Sequence, residues 1–265
     1  MKLTAENYYS AEANREYISV SQYKDFCGTL GKPACEEMAL AKMNGEWEEE
    51  KTIPLLVGSY VDSYFEGTLE QFKTENPELF TKKRTLRSEY RKADDIIDRI
   101  ERDRLFMRYM SGEKQRIFTA DLFGAKWKAK LDSYIPGKCI VDLKVMQSLR
   151  KAHYTHDFGM MDFVRYWGYD IQAAVYQEIV YVNTGERLPF YIAAASKEKE
   201  TDIEIIQVPQ EWINERIVEV KSNTDKILML KIGEIDPIRC DVCDYCKHTK
   251  VLTAPIWPDE LLGEV

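Results

Sequence analysis

The stretch 125–145, AKWKAKLDSYIPGKCIVDLKV, constrains this chain more than any other, because side chains alternate with period two on both sides of a Pro136-Gly137 turn signal. Along the second run Cys139, Val141, Leu143 and Val145 fall on one face, and Ile140, Asp142 and Lys144 on the other. Along the first, Trp127, Ala129 and Leu131 share a face, opposite Lys126, Lys128, Lys130 and Asp132. The alternation predicts two strands paired as a hairpin, with Asp132 and Asp142 approaching each other near the end of the sheet. Two carboxylates held together repel, and a divalent cation such as Mg²⁺, which favours carboxylate oxygens and water, relieves the repulsion. Lys144, one pleat further on, would then lie beside the metal-bound water, an arrangement suited to phosphoryl hydrolysis. D-x-K is short and common, and the same residues also describe a solvent-facing strand end with an ordinary Asp/Lys pair.

A chain of 265 residues with 45% hydrophobic and 12% aromatic content can bury a proper core. The expectation is one domain over 1–265, with a helical N-terminal part (about 1–115) and a Cys-rich C-terminal tail (about 236–265). No apolar run is long enough to span a bilayer, and the opening MKLTAENYYSAEANREY lacks the apolar segment of a signal peptide, so a cytoplasmic protein is expected. Six cysteines, three of them crowded at Cys240, Cys243 and Cys246, fit a reducing compartment and a metal cluster better than a disulfide framework. The formal net charge of −8 argues against a basic surface all over the molecule. Positive charge for nucleic acid must then be local, as at a cleft, and Lys126, Lys128, Lys130, Arg150 and Lys151 are the residues available near the hairpin.

Taken in order, Ser19 or Ser21 can cap a helix from about Gln22, with Tyr23 and Phe26 inward. A helix over 34–43 opens at Cys35. Another over 53–65 carries Leu56, Tyr60 and Tyr64 at helical spacing, with Asp62 four residues beyond Gly58. The charge-dense stretch 82–116, with Ile96, Ile97, Ile100, Leu105 and Met107 as its apolar stripe, predicts a long solvated helix. His153 and His156 lack nearby partners and read as surface residues. The segment 166–182 predicts a mostly buried helix on which Gln172 and Tyr176 share a face, and buried polar groups need partners. Backbone would serve, as would a phosphate or water in a cleft. The apolar run 188–196 predicts a central strand and 202–208 its antiparallel neighbour. A helix over 210–230 follows, closed off by Pro237, and then the loop-rich tail.

The order of these elements, with LLVGSYVDSYF, KAKLDSYIPGKCIVDLK, YWGYDIQAAVYQE, ISVSQYKDF and FYIAAAS, resembles the PD-(D/E)xK nuclease superfamily, and within it the RecB-like and RecE-type phage exonucleases. The resemblance implies an α/β fold with a restriction-endonuclease-like core, a central mixed β-sheet flanked by helices. It implies Asp132 and Asp142 as metal-binding carboxylates, the Leu143 carbonyl as a further ligand, Lys144 as the catalytic lysine, and Mg²⁺ or Mn²⁺ as cofactor. Gln172 and Tyr176 match the helix motif that lines the site and contacts DNA or orders the site, and Lys130 stands beside them as a substrate-binding candidate. One departure is that Asp62 occupies the position where the family usually has a histidine ligand; a carboxylate coordinates a hard cation at least as readily.

Some RecB-like nucleases hold an iron–sulfur cluster with one early and three late cysteines. Cys35, Cys240, Cys243 and Cys246 resemble that set, although the usual final gap is longer than Cys243-x-x-Cys246. A 4Fe–4S cluster, a Zn²⁺ site and free thiols all stay open. The leading expectation is a Mg²⁺-dependent DNA exonuclease acting on duplex ends in phage-type recombination, with a single-strand annealing protein as partner and a homo-oligomeric ring as assembly. The alternatives are an endonuclease, and a non-catalytic DNA-binding or assembly module on the same fold.

Overall fold

In the computed structural model of the protein, which describes residues 1–83 and 85–258, caps set the helical boundaries of the N-terminal part. Ser10 accepts from the Ala13 amide at the start of α1 (Ala11–Glu16), and Ser19 with Gln22 forms a reciprocal capping box on α2 (Val20–Cys27). The segment α3 (Glu36–Asn44) starts directly after Cys35, and α4 (Ile53–Glu66) has a proline in its first turn, where no intrahelical amide partner is lost. A short α5 (Leu69–Glu75) follows.

The long helix expected over 82–116 is instead α6 (Lys92–Glu101) and α7 (Arg104–Tyr109). Asp103 separates them, because its carboxylate caps the second helix by accepting from the Phe106 amide. Arg84, within that expected helix, and positions 259–265, at the end of the expected tail, lie outside the described residues.

The expected hairpin over 125–145 is two ladders. Strand β1 (Arg116–Leu122) pairs antiparallel with β2 (Ala125–Leu131), and β3 (Ser133–Ile135) pairs antiparallel with β4 (Cys139–Met146). Alternation fixed the strands and their faces, but it carries no information about which neighbour supplies the hydrogen bonds. Phe123 and Gly124, both at positive φ, close the first ladder, and Gly137 at φ 68° sits in the turn of the second. Asp132 is left at the junction between the ladders.

The chain continues through a small hairpin, β5 (His153–Thr155) and β6 (Gly159–Met161), into α8 (Phe163–Tyr166) and α9 (Tyr169–Thr184). Then come β7 (Phe190–Ser196), β8 (Ile203–Gln207), α10 (Gln210–Ile232) and α11 (Asp244–His248). Gly233, at φ 73°, ends α10 ahead of Pro237. The main sheet has the order β3-β4-β7-β8, with β4 and β7 parallel and the other pairs antiparallel. It is the mixed sheet of an α/β fold, flanked by helices on both faces.

The two faces of β4 serve two cores. Cys139, Val141 and Leu143 pack with Val61 of α4 and Ile96 and Ile100 of α6. Ile140 packs on the other side with Phe190, Ile192, Ile179 of α9 and Trp127 of β2. Each fully buried aliphatic side chain of this kind contributes about 2 kcal/mol.

The N-terminal chain crosses β2 at Ile18, whose amide donates to the Lys126 carbonyl at 2.8 Å. That crossing buries Lys128, which cannot supply surface charge: its Nζ donates to the Tyr8 carbonyl at 2.6 Å and to Asn14 Oδ1 at 2.8 Å. Two more of the cations proposed to attract a nucleic-acid backbone are taken up in surface ion pairs. Lys126 pairs with Glu16 at 2.8 Å, and Arg150 with Asp202 at 3.0 Å and with Glu204.

Candidate active site

Strand β3 is too short to cover β4 beyond Val141, so the free edge of β4 from Asp142 to Lys144 opens into a cleft of about 360 Å³. Asp132 turns its carboxylate across this gap and accepts from the Leu143 amide at 2.8 Å through Oδ2. In an extended strand the N–H and C=O of one residue point to the same edge, so the Leu143 carbonyl also faces Asp132 and the cleft. Asp142 is buried; its Oδ1 accepts from Gln172 Nε2 at 2.6 Å, and its Oδ2 is ion-paired with Lys144 Nζ. Gln172 thus finds a carboxylate as the partner its burial requires. One turn further along α9, Tyr176 lines the same cleft.

Asp62 enters from α4 and lines the cleft with Glu66, Asp132, Asp142, Leu143 and Lys144. Its Oδ1 is enclosed with no hydrogen-bond partner. A second, smaller opening between α4 and β4 reaches Asp62, Leu143 and Lys144 from the side of Gly58 and Lys197.

The electrostatics of these groups are mutual. Burial, opposed by Lys144 and reinforced by Glu66 and Asp142, pushes the Asp62 carboxyl up to about 7. Burial and the neighbouring Asp142 likewise hold Asp132 well above the usual carboxylate range. For Lys144, burial favours the neutral amine, yet Asp142, with Tyr169 and Asp132, outweighs it and raises the ammonium above its ordinary value. Burial keeps the Tyr176 phenol protonated. Three carboxylates that would shed their repulsion on a shared cation, one of them with an unpartnered buried oxygen, are a donor set of the type hard divalent ions take.

Sequence reasoning missed several residues at this site. Tyr8 and Tyr9 form one wall, and Lys130 Nζ lies 5.7 Å and 4.6 Å from their ring centroids. Tyr169, which lines the smaller opening, has two ammonium groups near its ring, Lys144 at 5.1 Å and Lys24 at 4.8 Å from its centroid. Lys24 also donates to the Trp167 carbonyl at 3.0 Å, and burial with the nearby Lys144 lowers it to about 7. Lys24 stands in ISVSQYKDF, but its position on α2 carries no sign of the β4 edge that it faces.

His153 stacks on Tyr166 with centroids 4.0 Å apart, and His156 is exposed. Cys35, Cys240, Cys243 and Cys246 converge away from the cleft, at the start of α3, whose far end contributes Lys42 and Met43 to the cleft lining.

The model of a family described as "PDDEXK-like domain of unknown function (DUF3799)" matches residues 19–249. A solved protein from Eubacterium rectale, named "Putative exonuclease", is 58% identical over 100% of both chains, with a TM-score of 0.97. The solved protein SSO0001 is 12% identical over 72% of this chain and 84% of its own, and at a TM-score of 0.27 it is too distant to bear on the site. No curated protein matches the chain.

Proposed function

The chain belongs to the PDDEXK-like domain family, and from that premise we propose that it is a metal-dependent deoxyribonuclease that hydrolyses phosphodiester bonds at duplex DNA ends. The observation that carries this reading is the convergence of Asp62, Asp132, Asp142 and Lys144 on one open cleft. The name borne by the 58% identical relative favours an exonuclease. When bound by the three carboxylates and the Leu143 carbonyl, Mg²⁺ or Mn²⁺ supplies charge neutralisation and Lewis acidity toward a phosphate oxygen.

The chain's own groups do the rest. The Leu143 amide fixes Asp132, and Gln172 and Lys144 hold the two oxygens of Asp142, which orients both carboxylates at the edge of the cleft. Lys144, held as an ammonium by Asp142, donates to the attacking water or to a non-bridging phosphate oxygen and offsets charge that grows in the transition state. Tyr176 is a neutral hydrogen-bond donor, and Lys130 with Tyr8 and Tyr9 offers a cation and ring faces to a nucleotide at the cleft wall.

We assign this activity to end resection in a phage-type recombination system, with a single-strand annealing partner and a homo-oligomeric assembly. This finer placement rests on the motif resemblance to RecE-type enzymes. No described helix is long and apolar enough to cross a membrane.

Lys144→Ala is expected to abolish Mg²⁺-dependent digestion of linear duplex while leaving duplex binding intact by fluorescence anisotropy. Full digestion by that variant would remove the mechanism. Cutting of covalently closed circles would make the enzyme an endonuclease, and no Mn²⁺ heat by calorimetry would leave only a binding module.

A further inference from the structure

The four cysteines outside the cleft have a geometry of their own. Cys35 precedes α3, while Cys240, Cys243 and Cys246 recur at three-residue intervals in the tail that returns from α10. All four Sγ atoms lie within 4.8 Å of one another, with Cys35 and Cys246 3.5 Å apart and Cys240 and Cys246 3.9 Å apart. None is in a disulfide.

The separations discriminate between occupants. One tetrahedral zinc ion with Zn–S bonds of about 2.3 Å holds its four sulfurs about 3.8 Å apart. In a four-iron cube each thiolate binds a different iron at its own corner, which spreads the four sulfurs well beyond the reach of one shared ion. The motif resemblance implies such a cube, and the sulfur positions do not fit it. The short Cys243-x-x-Cys246 gap, where the family spacing is longer, is the sequence counterpart of the tighter site.

The surroundings are those of a closed structural centre. Cys35 and Cys246 are buried, Met38 packs against them, and Trp47 and Tyr245 cover the group with their rings 5.5 Å apart. Two backbone amides address sulfurs, Cys243 N to Cys240 Sγ at 3.3 Å and Cys246 N to Cys243 Sγ at 3.5 Å, which offsets thiolate charge. Arg239 ties the same loop down, donating to the Cys246 carbonyl at 3.0 Å and pairing with Glu37. Glu36 and Ile238 exchange two hydrogen bonds, at 3.0 and 2.9 Å.

We infer that Cys35, Cys240, Cys243 and Cys246 form a closed tetrahedral site for one zinc ion, which fastens the C-terminal tail to α3 and thereby braces the α3 side of the cleft. The site is separate from the hydrolytic carboxylates and takes a different class of metal.

The test is the composition of the full-length protein purified anaerobically: zinc, iron and acid-labile sulfide per chain. One zinc per chain with neither iron nor labile sulfide in stoichiometric amount is expected. Replacement of the zinc by Co²⁺ should give the visible spectrum of a tetrahedral thiolate site, and Cys243→Ser should lose both the zinc and that spectrum. Extraction of zinc from the wild type by a chelator should lower the midpoint of thermal unfolding, and Zn²⁺ should restore it. Iron and sulfide in equal, near-fourfold amounts would overturn the proposal in favour of a cube, and metal-free protein with four freely titrating thiols would overturn it outright. Because the wild type decides the metal count, a misfolded Cys243→Ser variant does not obscure the result.

Discussion

Asp62 has one enclosed oxygen lacking any hydrogen-bond partner and a carboxyl raised to about 7. In the unfolded chain an aspartate titrates near 3.9, so between about pH 4 and 7 the folded protein without metal holds a proton that the unfolded chain has released. Stability contributed by this group is therefore greatest below about pH 4 and falls as pH rises toward 7, by a few kcal/mol at most. A cation on the carboxylates removes that cost by taking the proton's place. Thermal unfolding without divalent metal should fall more steeply from pH 5 to 7.5 in the wild type than in Asp62→Asn, and saturating Mg²⁺ should flatten the wild-type curve. Equal slopes in the two proteins without metal would show that Asp62 is not the group responsible.

Gln172 supports a second expectation. Its amide braces Asp142, so Gln172→Ala should reduce turnover about 10–100-fold with duplex affinity little changed, measured by steady-state digestion and anisotropy. Much of this site was legible in the sequence, because Asp132, Asp142, Lys144, Gln172 and Tyr176 carry alternation or helical spacing that sets their faces. The Tyr8–Tyr9 wall of the cleft and Tyr169 of the smaller opening were not, since each arrives there only through tertiary packing.

At the scale of elements, strand faces could be read directly while strand partners could not. Period-two alternation placed Asp142 and Lys144 on one face of β4, yet whether β2 or β3 paired with β4 depended on a break of one residue at Asp132. That break is what sends the Asp132 carboxylate across to Leu143, so the misread pairing and the correctly read site have a common cause. Helix 82–116 failed for a related reason: composition does not show that the Asp103 carboxylate prefers to cap a new helix.

Two glycines flank the break at Asp132 and should respond differently. Gly112 donates its amide to Ser133 Oγ at 2.9 Å, and a Cβ there would come within 2.5 Å of the Tyr134 carbonyl oxygen. Gly112→Ala should push β3 away, shift Asp132 and lower both the denaturant midpoint and activity. Gly137 lies at the turn tip, where a Cβ would meet only Glu186 Oε1 at an ordinary 4.0 Å, leaving the positive φ as the source of strain. Gly137→Ala should cost about 1–2 kcal/mol of stability with activity kept. Loss of activity in the Gly137 variant at temperatures where it is folded would mean that the turn, rather than the Asp132 to Leu143 hydrogen bond, sets the carboxylate geometry.

Across the whole molecule, the sheet separates two cores, and the cleft lies where the short β3 leaves the β4 edge uncovered between α4 on one side and α9 on the other. A duplex approaching this site meets a chain of net charge −8 in which most nearby cations are already committed. Lys128 is buried on the Tyr8 carbonyl and the Asn14 side chain, and Lys126 and Arg150 are paired with acids. Lys130, resting on the Tyr8 and Tyr9 rings, stands in the cleft without a carboxylate partner among the described ion pairs.

Few phosphates can then be neutralised, and the salt dependence of duplex binding should be shallow, because the slope of log K against log salt scales at about 0.9 per phosphate contact. Lys130→Ala should weaken binding at low salt and reduce that slope by about one, whereas Lys126→Ala, which removes a charge already balanced by Glu16, should leave it unchanged. Anisotropy titrations with the catalytically silent Lys144→Ala protein, run over a series of NaCl concentrations, separate the two variants without digestion of the probe. An unchanged slope in Lys130→Ala together with a reduced one in Lys126→Ala would put the DNA path at the Lys126 end of β2 rather than in the cleft.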